Sequence, residues 1–184
     1  MRLSRKEIRD EELIRKVISR ALVCRLGLCR ENKPHIVPVD FGYDGKEIYF
    51  HTARDGMKID YITANPSVCF EMEESANIIP NNEAACKWSV SFYCVIGIGR
   101  VEEILDSQHR NYAMEQIMKH YSSRNWIIDQ DKFNKMRIWR IQIEQITEKQ
   151  SLDKISNNIV SISFQGLPDT ISLAKKRGFE YIQS

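Results

Sequence analysis

Residues 34–52 read Pro34-His35-Ile36-Val37-Pro38-Val39-Asp40-Phe41-Gly42-Tyr43-Asp44-Gly45-Lys46-Glu47-Ile48-Tyr49-Phe50-His51-Thr52. Two runs rich in Val, Ile, Phe and Tyr flank Asp44-Gly45, and Asp-Gly tolerates the positive φ of a two-residue hairpin turn. The stretch therefore predicts an antiparallel pair, 34–43 against 46–52. The same punctuation continues outward. Strands are predicted at 22–30, before a turn at Asn32, at 67–73, at 87–105 and at 136–147. Within 87–105, Gly97 and Gly99 mark a bulge or a close backbone approach. In the last strand Trp139, Ile141 and Ile143 alternate with polar residues and face a core.

Helical spacing is confined to three places. Leu13, Ile14, Val17, Ile18 and Ala21 define a first helix, with Asp10, or Ser4 and Glu7, as candidate caps. A short helix over 56–64 is stopped by Asn65-Pro66, because the residue before proline avoids helical geometry. A third starts at Asp106, carries Tyr112, Ile117 and Met118, and ends near Tyr121. Six short antiparallel strands with a few helices predict a mainly β fold, curled into a small barrel because closure removes exposed edges.

The chain has 184 residues, 27 Lys+Arg against 25 Asp+Glu, and a net charge of +2. Charges so nearly balanced give no broad cationic field for nucleic acid or an anionic membrane. Its longest apolar run, 92–99, is far short of a membrane span. The N-terminus shows no apolar signal region, which predicts a cytoplasmic protein. Five cysteines (24, 29, 69, 86 and 94) contain no Cys-x-x-Cys pair and are expected to be reduced and mostly buried.

Metal chemistry is not indicated: His35, His51, His109 and His120 show no ligand spacing, and no cysteine pairs with them. His109 and His120 are expected on a helix surface. The acidic run Glu71, Glu73, Glu74 reads as a solvated strand end. Trp139 reads as core, and Trp88 and Phe92 as barrel filling or a subunit contact. Gly97-Ile98-Gly99 is not a dinucleotide loop, since no helix follows it.

The informative segment is 48–58, where a strand ends in His51-Thr52, a turn contains Gly56, and Lys58 opens a short helix. A hydroxyl, a helix N-terminus and an ammonium converge there, the set that a phosphate requires. The same residues also suit a plain solvated helix start.

In their order, these residues resemble the pyridoxamine 5′-phosphate oxidase-like FMN-binding split-barrel superfamily, and most closely its nitroimidazole-resistance branch. The resemblance spans about residues 5–150 and rests on 34–45, on 48–53 with Gly56 and Lys58, on Asn65-Pro66-Ser67-Val68-Cys69-Phe70, and on 93–102. It implies a six-stranded antiparallel split β-barrel of Greek-key type, dimerising to hold two FMN at the subunit interface. Val37, Pro38, Val39 and Asp40 would meet the edge of the flavin ring. His51, Thr52 and Lys58 would hold the phosphate end or the adjacent ring edge, and Tyr93 and Cys94 would pass the cofactor on the long strand. His51 is the candidate catalytic residue, with simple packing as its other reading.

Departures narrow the expectation. Met57-Lys58 stands where pyridoxamine phosphate oxidases carry Arg-Lys, and their C-terminal phosphate-binding segment has no counterpart here. An FMN-dependent reductase of a small planar acceptor, such as a nitroaromatic, is implied rather than pyridoxamine phosphate oxidation. The alternative is a flavin- or haem-binding barrel without turnover. Asp40 stands where the branch commonly has asparagine, and an ionised carboxylate there disfavours an anionic reduced flavin. Residues 1–150 are thus assigned to the barrel. Residues 151–184, with a strand at 158–164 and a helix at 168–177, form an extension packed on the barrel or partner subunit.

Overall fold

A hairpin forms at Asp44-Gly45 with a turn longer than the two residues expected, since Tyr43 pairs with Ile48 and leaves 44–47 between them. Asp44 Oδ1 accepts from the backbone amides of Lys46 at 2.8 Å and Glu47 at 2.9 Å, and Gly45 adopts φ 99°. It joins β4 (Phe41–Tyr43) to β5 (Glu47–Thr52) in a computed structural model that describes residues 7–8, 11–124 and 126–151. The other elements are β1 (Glu7–Ile8), α1 (Glu11–Arg20), β2 (Cys24–Arg30), β3 (Lys33–Val39), α2 (Met57–Ala64), β6 (Ser67–Ile79), β7 (Ser89–Glu103), α3 (Ser107–Tyr121), α4 (Gln130–Phe133) and β8 (Arg137–Ser151). The candidate caps Ser4 and Asp10 and the features expected over 152–184 lie outside the described residues.

All strand pairings are antiparallel, in the order β3-β2-β6-β7-β8-β5-β4, with β1 beside β8. The outermost strands of that order, β3 and β4, are consecutive in the chain with Asp40 alone between them. One residue can connect two sheet edges only if the sheet curls until they meet, which makes it a split barrel with flanking helices. Pro34 and Pro38 fit this arrangement, because proline is confined to edge strands, where one side of the ladder is open.

Among the described residues eight strands form where six were expected. The run 34–43 divides at Asp40, since β3 pairs with β2 and β4 with β5, and β1 adds a short eighth strand. Residues 74–79, expected as loop, extend β6 against β7 through a register shift between Glu74 and Asn77. The bulge expected near Gly97 and Gly99 appears as a second shift, between Ile98 and Gly99.

The main core fills the inside of the curl with Leu26, Phe41, Phe50, Phe70, Met72 and Trp139, closed by Ile14, Val17 and Ile18 of α1. Phe50 and Trp139 stack at 6.3 Å. A smaller core packs Ala113, Met114 and Ile117 of α3 on Tyr49 and Ile138, the outer faces of β5 and β8. Asp106 caps α3 by accepting from the His109 amide at 2.9 Å. Among the described residues, no helix is long and apolar enough to cross a membrane.

Two expectations are corrected. Only Cys24 and Cys94 are buried, whereas Cys29, Cys69 and Cys86 are exposed; strand alternation turns Cys29 and Cys69 away from the core. His120 is half-buried, not a surface residue: its ring packs on Phe41 at 4.2 Å, and Nε2 lies 2.7 Å from the Ala21 carbonyl oxygen.

Candidate functional site

Three sequence-predicted residues converge where the sheet edges meet. Asp40 occupies the break between β3 and β4, His51 stands near the end of β5, and Lys58 lies in the first turn of α2. Gly56 makes the approach possible: its φ of 132° lies in a region closed to most side chains. Its carbonyl then accepts from the amides of Ile59 at 2.9 Å and Asp60 at 3.2 Å. No side chain caps α2, so its first amides remain directed at the corner.

Two polar groups there lack a protein partner among the described residues. His51 is half-buried, and its Nδ1 is buried without a hydrogen-bond partner among the described residues. Burial pushes the imidazole below its ordinary range and Lys58 adds to that, while Asp40 opposes it; the ring is neutral near pH 7. Burial likewise lowers the Lys58 ammonium, with Asp40 opposing. No salt bridge closes on that ammonium among the described residues. A half-buried cation and an orphaned ring nitrogen are costly unless a ligand satisfies them.

Thr52 is placed differently from its expected role. It is buried, and its hydroxyl donates to the Ala53 carbonyl at 2.7 Å and accepts from Trp139 Nε1 at 3.0 Å. Its side chain thereby locks β5 to β8, leaving its backbone as the part facing the turn. Val37 is half-buried against the core, Val39 is buried, and Pro38 and Asp40 are exposed along the β3 edge.

Tyr93 and Cys94 are not brought to this corner. His51 pairs with Ile138 of β8, whereas Tyr93 pairs with Gln150. Twelve residues of β8 separate those levels, about 40 Å along a strand rising ~3.3 Å per residue. Tyr93 packs half-buried against the core, and Cys94 is buried on the opposite face, its thiol raised by burial and by Glu71.

Sequence reasoning missed Tyr121. Its hydroxyl accepts from the Phe41 amide and donates to the Leu22 carbonyl, both at 3.0 Å, so the end of α3 fixes the backbone beside Asp40. Its place at the predicted helix end was visible, but its partners lie 80 and 99 residues away.

A family model described as pyridoxamine 5′-phosphate oxidase matches residues 10–150. An uncharacterized protein of Rhizobium meliloti is 30% identical over 70 residues, which are 38% of this chain and 46% of that protein. The chain thus aligns with less than half of that relative's length. Among solved structures, a candidate 5-nitroimidazole antibiotic resistance protein from Bacteroides thetaiotaomicron is 26% identical, with a TM-score of 0.70 over 78% of this chain and 86% of the other. A flavocytochrome from Azotobacter vinelandii is 16% identical, with a TM-score of 0.70 over 92% and 85%. A FAD-binding protein from Mesorhizobium loti is 22% identical, with a TM-score of 0.58 over 80% and 98%. The last two are likenesses of fold.

Proposed function

The chain belongs to the pyridoxamine 5′-phosphate oxidase family, and from that membership and the geometry at Asp40, His51 and Lys58 we propose that it is an FMN-dependent oxidoreductase. Its reaction is reduction of a small planar acceptor, with a nitroaromatic as the model substrate. The observation that carries the reading is the buried Nδ1 of His51 beside the Lys58 ammonium, neither with a partner among the described residues. Both are satisfied by a ligand that is anionic at one end and offers polar ring atoms at the other.

FMN fits that description. Lys58 and the open amides of α2 hold the phosphate, His51 meets the phosphate end or the ring edge, and Val37, Pro38, Val39 and Asp40 line the ring. When bound, FMN supplies the two-electron chemistry. The protein's part is to orient the ring, keep a neutral imidazole beside it, and set its potential through the Asp40 carboxylate.

The working unit in this reading is a homodimer, with the 93–94 segment brought to the partner's corner by Tyr93 and the backbone of the buried Cys94. The separation along β8 supports it. So does a row of exposed apolar residues: Ile36 lies opposite Gly27, Gly27 opposite Cys69, and Cys69 opposite Ile98 across four strands. Ile36 is 71% and Ile98 46% exposed, and contiguous apolar surface of this kind marks an association face.

The test is the absorbance spectrum of the purified protein, with extraction and mass measurement of any cofactor. Flavin bands, bleached by a reduced nicotinamide and restored by a nitroaromatic, are expected. A colourless protein that refuses added FMN overturns the proposal, and a Soret band moves it to haem.

A further inference from the structure

Beside the phosphate position lies a groove of about 370 Å³ between the start of α2 and the β2–β3 turn, lined by Arg30, Glu31, Lys33, Met57, Asp60 and Tyr61. That volume falls within the ~300–1,000 Å³ that small-molecule sites occupy and exceeds what one phosphate needs. Its contents differ from those of a second groove among the described residues. In the groove between α3 and β8, about 400 Å³, Tyr49 and Arg140 are already engaged: Tyr49 donates to Asp44, and Arg140 to Glu102.

Here Arg30 meets Glu31 at 3.5 Å, but Lys33 and Asp60 form no salt bridge and the Tyr61 hydroxyl no hydrogen bond among the described residues. Tyr61 is half-buried against the core, and its ring is braced by His35 at 5.1 Å. It therefore offers a fixed aromatic surface, with the exposed thioether of Met57 beside it. Lys58 and Tyr61 stand three residues apart on α2, neighbours on one helix face. A phosphate held by Lys58 would thus adjoin the groove.

We propose that this groove is a nucleoside-phosphate subsite, taking the adenylate half of a dinucleotide whose phosphates run between Lys33 and Lys58. The base stacks on Tyr61 and Met57, a contact that tolerates any base because each has a π-face. Asp60 accepts from an exocyclic amine or ribose hydroxyl. The inference rests on the flavin reading of the corner. Two ligands share the required chemistry: FAD bound in place of FMN, or a dinucleotide electron donor lying beside bound FMN.

Cofactor-stripped, full-length protein is titrated with FMN and with FAD by flavin fluorescence, and FMN-loaded protein is titrated with ADP. The same titrations are run on the exposed double variant Lys33→Ala/Asp60→Ala. FAD binding about tenfold tighter than FMN, with the advantage lost in the double variant while FMN affinity holds, supports the FAD arm. Equal FMN and FAD affinities, with ADP binding to FMN-loaded protein that the double variant weakens about fivefold or more, support the donor arm. FMN binding with neither behaviour overturns the groove and leaves the flavin reading intact. Failure to bind either flavin overturns both.

Discussion

Replacing Lys58 with methionine isolates the electrostatic part of the proposed cofactor site, because the unbranched side chain keeps the packing of the stem and removes only the ammonium. A hydrogen bond to a charged group contributes ~1.5–3 kcal/mol, which at ~1.4 kcal/mol per decade is about 10- to 150-fold in affinity. The structure points to the lower end. Asp40 lies close enough to perturb Lys58, and its carboxylate repels the phosphate that Lys58 attracts. About tenfold weaker FMN binding is therefore expected. Riboflavin, which has the ring and ribityl chain without the phosphate, is the internal control. Fluorescence titrations of both ligands should show Lys58→Met weakening FMN and sparing riboflavin. The FMN preference of the unmodified protein should also fall as pH rises through the Lys58 value, which burial places below that of an ordinary lysine. Equal losses for FMN and riboflavin, or an unchanged FMN affinity, would refute the assignment.

Two further outcomes test the neighbouring histidine and the packing of the sheet. His51 resists protonation in the folded state, so flavin-free protein should lose stability as pH falls below about 6.5, the ordinary histidine value, and go on losing it down through the depressed folded value, by at most ~1.4 kcal/mol per pH unit for one group. Urea midpoints compared between the unmodified protein and His51→Phe check this, since carboxylate contributions are common to both; identical pH slopes would contradict it. Gly97→Ala should destabilise by ~1–3 kcal/mol or more, because the added Cβ would fall 2.1 Å from Cζ of Phe70 and 2.7 Å from the Gln145 carbonyl oxygen. Phe70 is 1% exposed and has no room to retreat, so an unchanged unfolding midpoint would show that this close approach does not hold.

Features that depend on neighbours in sequence were readable without the structure. The Asp44-Gly45 turn, the apolar stripe of α1, the Asn65-Pro66 stop and the Asp106 cap are each decided within a few residues, and each stands where its local chemistry put it. The corner was only half readable. Gly56 and Lys58 announce a turn followed by a helix start, but nothing within 34–43 signals that Asp40 divides one apolar run between opposite ends of a sheet. That division follows from the pairing partners of β3 and β4. Thr52 illustrates the same limit: a free hydroxyl in sequence becomes a bonded one because Trp139 arrives from 87 residues away. His120 and Tyr121 look like polar helix positions until β4 and the end of α1 come to rest against them.

The distance between the two predicted halves of the site bears on what kind of object carries the function. A side chain reaches several ångströms, and a flavin mononucleotide spans only part of the roughly 40 Å of β8 between the levels of His51 and Tyr93. Within one protomer both residues are fixed by strand pairing to the same β8, twelve residues apart along it. In the proposed homodimer a twofold axis would carry the 93–94 end of one copy toward the 40, 51 and 58 corner of the other, and by symmetry would do so twice. The apolar row of Ile36, Cys69 and Ile98 gives such a pair a surface to bury. In the homodimer proposed here, then, one sequence encodes both walls of each cofactor site at opposite ends of its longest strands.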